Sequence, residues 1–338
     1  MVGVIVALSG IAIISGPREV EVDPLETMKT NSKNLNEVYQ SDLAAEMLSE
    51  VERLPIVDGR TVYIATRPNR GFTKAQYDAL DDEQREGLRE VEIEPVDYYS
   101  TFYGTPLVYA RVLDLGSQYV PGFTIAGSKI MDLGYGQLGQ LRLWAQMGAD
   151  TVGVEVDPIL TAIYDGCGAV GDVDDDPASS GSVTLVEGAW PNDKSCREEV
   201  GGGYDLLVSR NLLKRGYVKP ATRNPAFPVP VGWEMSDVEM LDHVFNLLHP
   251  GGLVIIESLG PKPDPTKPWS DVSNPWSKQA WIDAGFEVLA HDEDESQYAR
   301  EMGEALGWDQ KMNLETDLFG VYSVYLKPVS NKQKSAEN

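Results

Sequence analysis

The chain changes character near residue 128. Beyond it, short apolar runs alternate with stretches whose apolar residues recur every three to four positions. Residues 129–133 (KIMDL) and 151–156 (TVGVEV) have the apolar runs of buried strands. Between them, 140–147 has helical spacing through Leu141, Leu143 and Trp144, and Gly148 ends it. Further strands are predicted over 183–187 (VTLVE), 204–209 (YDLLVS), 253–258 (LVIIES) and 319–327 (FGVYSVYLK), with an amphipathic helix over 237–248. Strands joined through helices pair in parallel and bury both faces, so the predicted fold class is α/β, with a doubly wound, mostly parallel sheet.

Upstream the signals are helical. Residues 42–54 and 73–91 have amphipathic spacing, the second dense in charge, within an N-terminal, mainly helical extension over 17–100. Tyr98, Tyr99, Phe102, Tyr103 and Tyr109 then cluster. They fit either packing against the next domain or, over 98–106, a cover on a ligand pocket. Residues 2–14 are apolar apart from Ser9 and two glycines. That is short for a membrane span, which needs about 20 residues. It has the length of a signal-peptide core, but no Lys or Arg precedes it and no A-x-A site follows. Residues 1–16 are therefore a signal, an anchor or the product of a misassigned start, and 329–338 form a polar, disordered tail. A cytoplasmic location is favoured; export or membrane anchoring through residues 1–16 is the alternative.

Composition narrows the chemistry. The 338 residues carry 53 Asp and Glu against 28 Lys and Arg, a net charge of −25. Nucleic-acid binding depends on Lys and Arg neutralising phosphates, so no nucleic-acid partner is expected. Two cysteines, Cys167 and Cys196, and three histidines occur in no CxxC or HExxH spacing, which predicts free thiols and no metal site. The acidic run at 172–176 (DVDDD) lacks EF-hand spacing and reads as a solvated loop.

The chemistry-bearing segment is the turn Gly134-Tyr135-Gly136-Gln137-Leu138-Gly139 after the first strand. Glycines let the backbone approach a ligand closely, and the helix that follows offers free N–H groups and the positive end of its dipole. Glu155, 21 positions beyond Gly134 at the end of the second strand, is placed to accept two hydrogen bonds from ribose hydroxyls. The unit is predicted to bind an adenosine-containing cofactor. GYGQLG satisfies the GxGxxG of dinucleotide sites, which leaves a nicotinamide cofactor open. Asp132 tilts the choice, because a carboxylate at the end of the first strand repels a pyrophosphate and suits a ligand carrying ammonium and sulfonium groups.

Residues 131–136 (MDLGYG) resemble the D-x-G-x-G first motif of class I S-adenosylmethionine-dependent methyltransferases. Residues 248–252 (LHPGG) resemble that family's L-x-P-G-G turn and 284–288 (AGFEV) its A-G-F turn. The resemblance spans about residues 100 to 328, with a methyltransferase domain over 101–328. It implies a Rossmann-like, seven-stranded, mostly parallel sheet, S-adenosyl-L-methionine as cofactor and a small-molecule substrate. Carried over by position, Asp132 helps hold the methionine end, Gly134, Tyr135, Gly136 and Gly139 form the loop beneath the cofactor, and Glu155 binds the ribose. Val156 touches the adenine edge, while Asp157 caps the helix opening at Pro158. The family's Gly-Asp after the third strand is here Gly188-Ala189, so the adenine contact falls to Glu187 or to backbone near Ala189. Trp190 packs either on the adenine or in the core.

Ser209 closes the cofactor-side set at the end of the fourth strand. Ligands bind beyond the carboxyl ends of such strands, so Asn211, Lys214, Arg215 and Tyr217 are the substrate-side candidates, with Asn211 expected nearest the transferred methyl. No histidine is placed as a base: His249 falls at the opposite end of the sheet, and His291 is closer. Two loops rich in proline and aromatic residues, 219–233 and 260–276, are expected to form a paired lid. Two other readings stay open: a cofactor-binding but inactive methyltransferase-like protein, and an NAD-dependent oxidoreductase.

Overall fold

A computed structural model describes residues 25–66, 69–95, 98–99, 105–173, 181–218, 234–264, 266–267 and 270–329. The expectations for residues 1–16, for the loop 219–233, for Phe102 and Tyr103 and for most of the tail lie outside the described residues. Strands are numbered in chain order. A small antiparallel sheet holds β1 (Arg60–Thr66), β2 (Asn69–Thr73) and β3 (Arg89–Ile93) in the order β2-β1-β3. The main sheet holds β4 (Lys129–Leu133), β5 (Asp150–Glu155), β6 (Gly171–Asp172), β7 (Ser182–Glu187), β8 (Tyr204–Arg210), β9 (Leu248–Gly260), β10 (Glu287–Asp294) and β11 (Phe319–Leu326). Its order is β10-β11-β9-β8-β4-β5-β7-β6.

The seven expected strands are present, and the two-residue β6 adds an antiparallel edge. β7, β5, β4, β8 and β9 run parallel; β11 runs antiparallel between β9 and β10. Helices cover both faces, as the unbroken apolar runs of β8 and β9 require. Leu35, Leu113, Leu141 and Met302 pack on one face; Val200, Met240, Val244 and Trp281 pack on the other. Cys167 and Cys196 are both buried and free. Among the described residues, no helix is long and apolar enough to cross a membrane.

The N-terminal extension contains the helices Glu26–Leu35 and Asp42–Ser49, the latter continued by a tighter turn over Glu50–Arg53. It departs from expectation over 73–91, which is not one helix. Thr73 and Asp81 each start a separate short helix through a reciprocal capping box, and Gly87, at φ +75°, turns the chain into β3. The charge in this stretch concealed the alternation of β3, whose Val91 and Ile93 face inward.

The small sheet is not a detached ornament. A Cβ at Gly71 would stand 2.3 Å from the carbonyl oxygen of Pro158, so β2 lies directly on the helix Pro158–Tyr164. Asn69 Nδ2 donates to Asp157 Oδ1 at 2.9 Å, and Arg60 donates to the Asp165 carbonyl at 2.6 Å. Gly71→Ala should therefore cost about 1–3 kcal/mol through overpacking. Urea denaturation would measure it, and an unchanged midpoint would refute this close docking.

Candidate functional site

The main sheet reverses its winding between β4 and β8, and the crevice at their carboxyl ends is the natural ligand site. Gly134 and Gly136 line it with φ of +77° and +59°. The Gly134 N–H donates to the Val154 carbonyl at 2.8 Å, and a Cβ there would lie 2.7 Å from Leu212 Cδ2. The first two glycines thus shape the loop. Gly139 has a different use: its Cβ would meet Pro106 at 2.5 Å, so it lets the helix Gly139–Gln146 pack closely. Tyr135 is buried behind the loop, against Gly153.

Asp132 is fully buried on β4. Its Oδ2 accepts from Gln140 Nε2 at 2.9 Å, and the same amide nitrogen donates to the Tyr135 carbonyl at 2.8 Å. Oδ1 has no partner. Burial pushes the carboxyl up to about 7. Glu155 accepts the Val156 N–H at 2.7 Å, and the N–H groups of Asp157 and Gly136 also hold its charge. Burial outweighs these bonds and lifts Glu155 to about 7 as well. Val156 beside it is 50 % exposed, a bare apolar surface at the open edge. Asp157 caps the following helix, accepting the Ile159 N–H at 2.9 Å.

At the third turn, the Gly188 N–H donates to the Glu155 carbonyl at 2.9 Å, tying the ends of β7 and β5 together. The Ala189 N–H is already taken by Asp193 Oδ2 at 2.8 Å. An acid thus does stand at this turn, four residues further on than the pattern led one to look. Trp190 is buried in the core with Val186 and Cys196.

Beyond β8 the candidates separate. Ser209 is fully buried, and its hydroxyl donates to the Leu133 carbonyl at 3.3 Å. Asn211 adopts a left-handed φ of 65° and accepts the Leu259 N–H at 2.7 Å; Lys214 Nζ donates to the Leu259 carbonyl at 3.1 Å. The two side chains therefore grip the amide and carbonyl of one residue at the carboxyl end of β9. Burial, with Arg210 nearby, pulls the Lys214 ammonium down to about 8. Arg215 is exposed and 3.4 Å from Asp271. The Tyr217 hydroxyl is pushed up to about 12 by burial and by the charges of Glu155 and Asp157. In the partly described second loop, the Asp271 and Ser273 carbonyls accept the N–H groups of Gly216 and Arg215. Tyr98 and Tyr99 are buried in the core, the Tyr99 hydroxyl on the Pro55 carbonyl. His249 lies at the far end with Asp205, and His291 Nδ1 is 2.6 Å from the Tyr325 hydroxyl.

Several polar residues at this end had no local signal. Arg210 and Glu257, fully buried, form a bidentate pair at 3.0 and 3.1 Å. The Arg210 guanidinium lies 5.5 Å from the Tyr109 ring centroid, and Tyr109 stands next to Asp132.

No protein-family model matches this chain, and no curated protein matches it. Among solved structures it is similar to the phosphoethanolamine N-methyltransferase 2 of Haemonchus contortus in complex with S-adenosyl-L-methionine, at 12% identity over 81% of this chain and 69% of that one, with a TM-score of 0.41. It is also similar to the cyclase SpnF, at 18% identity over 65% and 81%, with a TM-score of 0.35. A third similar structure is a geranyl diphosphate methyltransferase in complex with GPP and sinefungin, at 11% identity over 64% and 77%, with a TM-score of 0.36. These likenesses are remote; what the site can do follows from its own residues.

Proposed function

We propose that the protein binds S-adenosyl-L-methionine in the crevice between β4 and β8 and methylates a small molecule. One observation carries this reading: Asp132, a fully buried carboxylate beside the glycine loop, has only the neutral Gln140 amide and Tyr109 hydroxyl as its direct side-chain donors. Burying a charge with only neutral donors on it is costly, and a ligand ammonium would offset that cost. A pyrophosphate there would meet the same carboxylate as a like charge, which disfavours a dinucleotide.

The rest of the donor set fits. Asp132 would hold the ammonium of the methionine end, Gly134 and Gly136 allow close approach, and Glu155 would accept the ribose hydroxyls. Val156 offers apolar surface to the adenine, and Tyr217 covers the nucleoside side. When bound, the cofactor supplies an electrophilic methyl on a sulfonium. The chain supplies position: Asn211 and Lys214 fix the Leu259 backbone, and Arg210 with Glu257 braces the adjoining wall. Titration calorimetry with S-adenosylhomocysteine and, separately, NADH decides between the cofactors. Micromolar binding of the first alone is expected; binding of NADH alone, or of neither, would overturn the proposal.

A further inference from the structure

Among the described residues, two carboxylate oxygens are buried with no partner: Asp132 Oδ1 and Glu295 Oε1. A single ammonium at the methionine end of the cofactor satisfies only the first. Glu295 stands between β10 and the helix Ser296–Ala305, its N–H donating to the Gly320 carbonyl at 2.9 Å. Its Oε2 accepts from Arg111 Nε at 2.9 Å. A Cβ at Gly320 would lie 3.0 Å from both Glu295 Cγ and Leu259 Cδ2. Glu295 therefore sits beside the residue that Asn211 and Lys214 hold at the mouth.

The surrounding charges do not complete it. Glu257 spends both oxygens on Arg210. Arg111 stacks 4.2 Å from the Tyr298 ring centroid and lies 3.8 Å from Asp114, which also accepts from Gln40 and Ser41. Asp114, Glu257 and Glu295 thus face two guanidinium groups, leaving one negative charge in excess. Burial, with Glu257 adding to it, raises Glu295 to about 8. Protonation removes the excess charge but leaves an O–H without an acceptor in place of an oxygen without a donor. Neither state is satisfied from within the protein, and buried polar groups are rarely left so.

We propose that the methyl acceptor is an amine that enters as its ammonium cation, with Glu295 Oε1 accepting its N–H beside Leu259 and Tyr298; the proton that the nitrogen must lose before its lone pair can take a methyl would pass to the Glu295 carboxylate. The inference rests on the cofactor reading above, because it places the acceptor at the same mouth.

The test titrates protein saturated with S-adenosylhomocysteine with benzylamine and, separately, with benzyl alcohol near pH 7. Benzylamine is expected to bind at millimolar concentration or tighter, and benzyl alcohol about tenfold more weakly or less. Glu295→Gln should weaken benzylamine about tenfold or more while leaving S-adenosylhomocysteine affinity unchanged. Equal binding of the two probes, no binding of the amine, or an unaffected variant would overturn the proposal and leave a buried water as the partner of Oε1. A second measurement needs no folded variant: carboxyl carbon NMR of the native protein should show the Glu295 titration moving to lower pH when benzylamine is added. A static midpoint counts against the site. Failure of S-adenosylhomocysteine to bind would sink the cofactor reading instead, and the amine titration run without it still reports on Glu295.

Discussion

Asp132→Asn is expected to stabilise the ligand-free protein at alkaline pH while destroying its affinity for S-adenosylhomocysteine. The folded state raises Asp132 from 3.8 to about 7 because burial disfavours its charge. An acid whose folded value lies above its unfolded value binds its proton more tightly in the native state, so stability falls as pH rises between the two values. Above about pH 7 the whole cost is present, on the order of 4 kcal/mol for about three pH units. Asparagine keeps an oxygen for Gln140 and carries no charge to desolvate. Urea denaturation should show the variant gaining on the native protein between about pH 4 and about pH 7. Calorimetry should show binding weakened roughly a hundredfold or more, the scale of a lost charged hydrogen bond. A variant less stable than the native protein at the higher pH, or one that binds normally, would remove Asp132 from the role assigned to it.

Glu155→Ala should have a comparable effect on binding and a distinct pH signature. Two ribose hydroxyls on one carboxylate are worth about 1.5–3 kcal/mol each, so affinity should drop by roughly two orders of magnitude or more. Glu155 is lifted by burial to about 7, and the ionised form is the better acceptor. Native affinity should therefore decline as pH falls below about 7. In Glu155→Ala the decline becomes shallower without vanishing, because Asp132 titrates in the same range. Calorimetry across that range measures both effects, and an undiminished slope would mean that Glu155 does not meet the ligand.

The glycine turn and the strand-end acids were legible because their signals are local. A glycine at positive φ, an acid at a strand end and an apolar run all occupy neighbouring positions in the chain. The same logic explains the uses that differed. Gly139 looks like a loop glycine in sequence, yet its lack of a side chain serves Pro106, which arrives from another segment. Asn211 and Lys214 stood as substrate-side candidates in sequence, yet both side chains bond to Leu259, 48 and 45 residues away. The three-stranded sheet was hidden because charged exposed faces in β3 weaken the period-two pattern.

By itself the sequence determined the order of the main strands and helices beyond residue 128, the glycine turn, and the two carboxylates Asp132 and Glu155. Periodicity and turn chemistry act within a few residues, so one chain suffices to show them. Only the tertiary structure decided which of those carboxylates would be buried, which oxygens would find no donor, and that Arg111 would meet Glu295 across 184 residues. Desolvation is a property of everything packed around a group. No short window of sequence carries it.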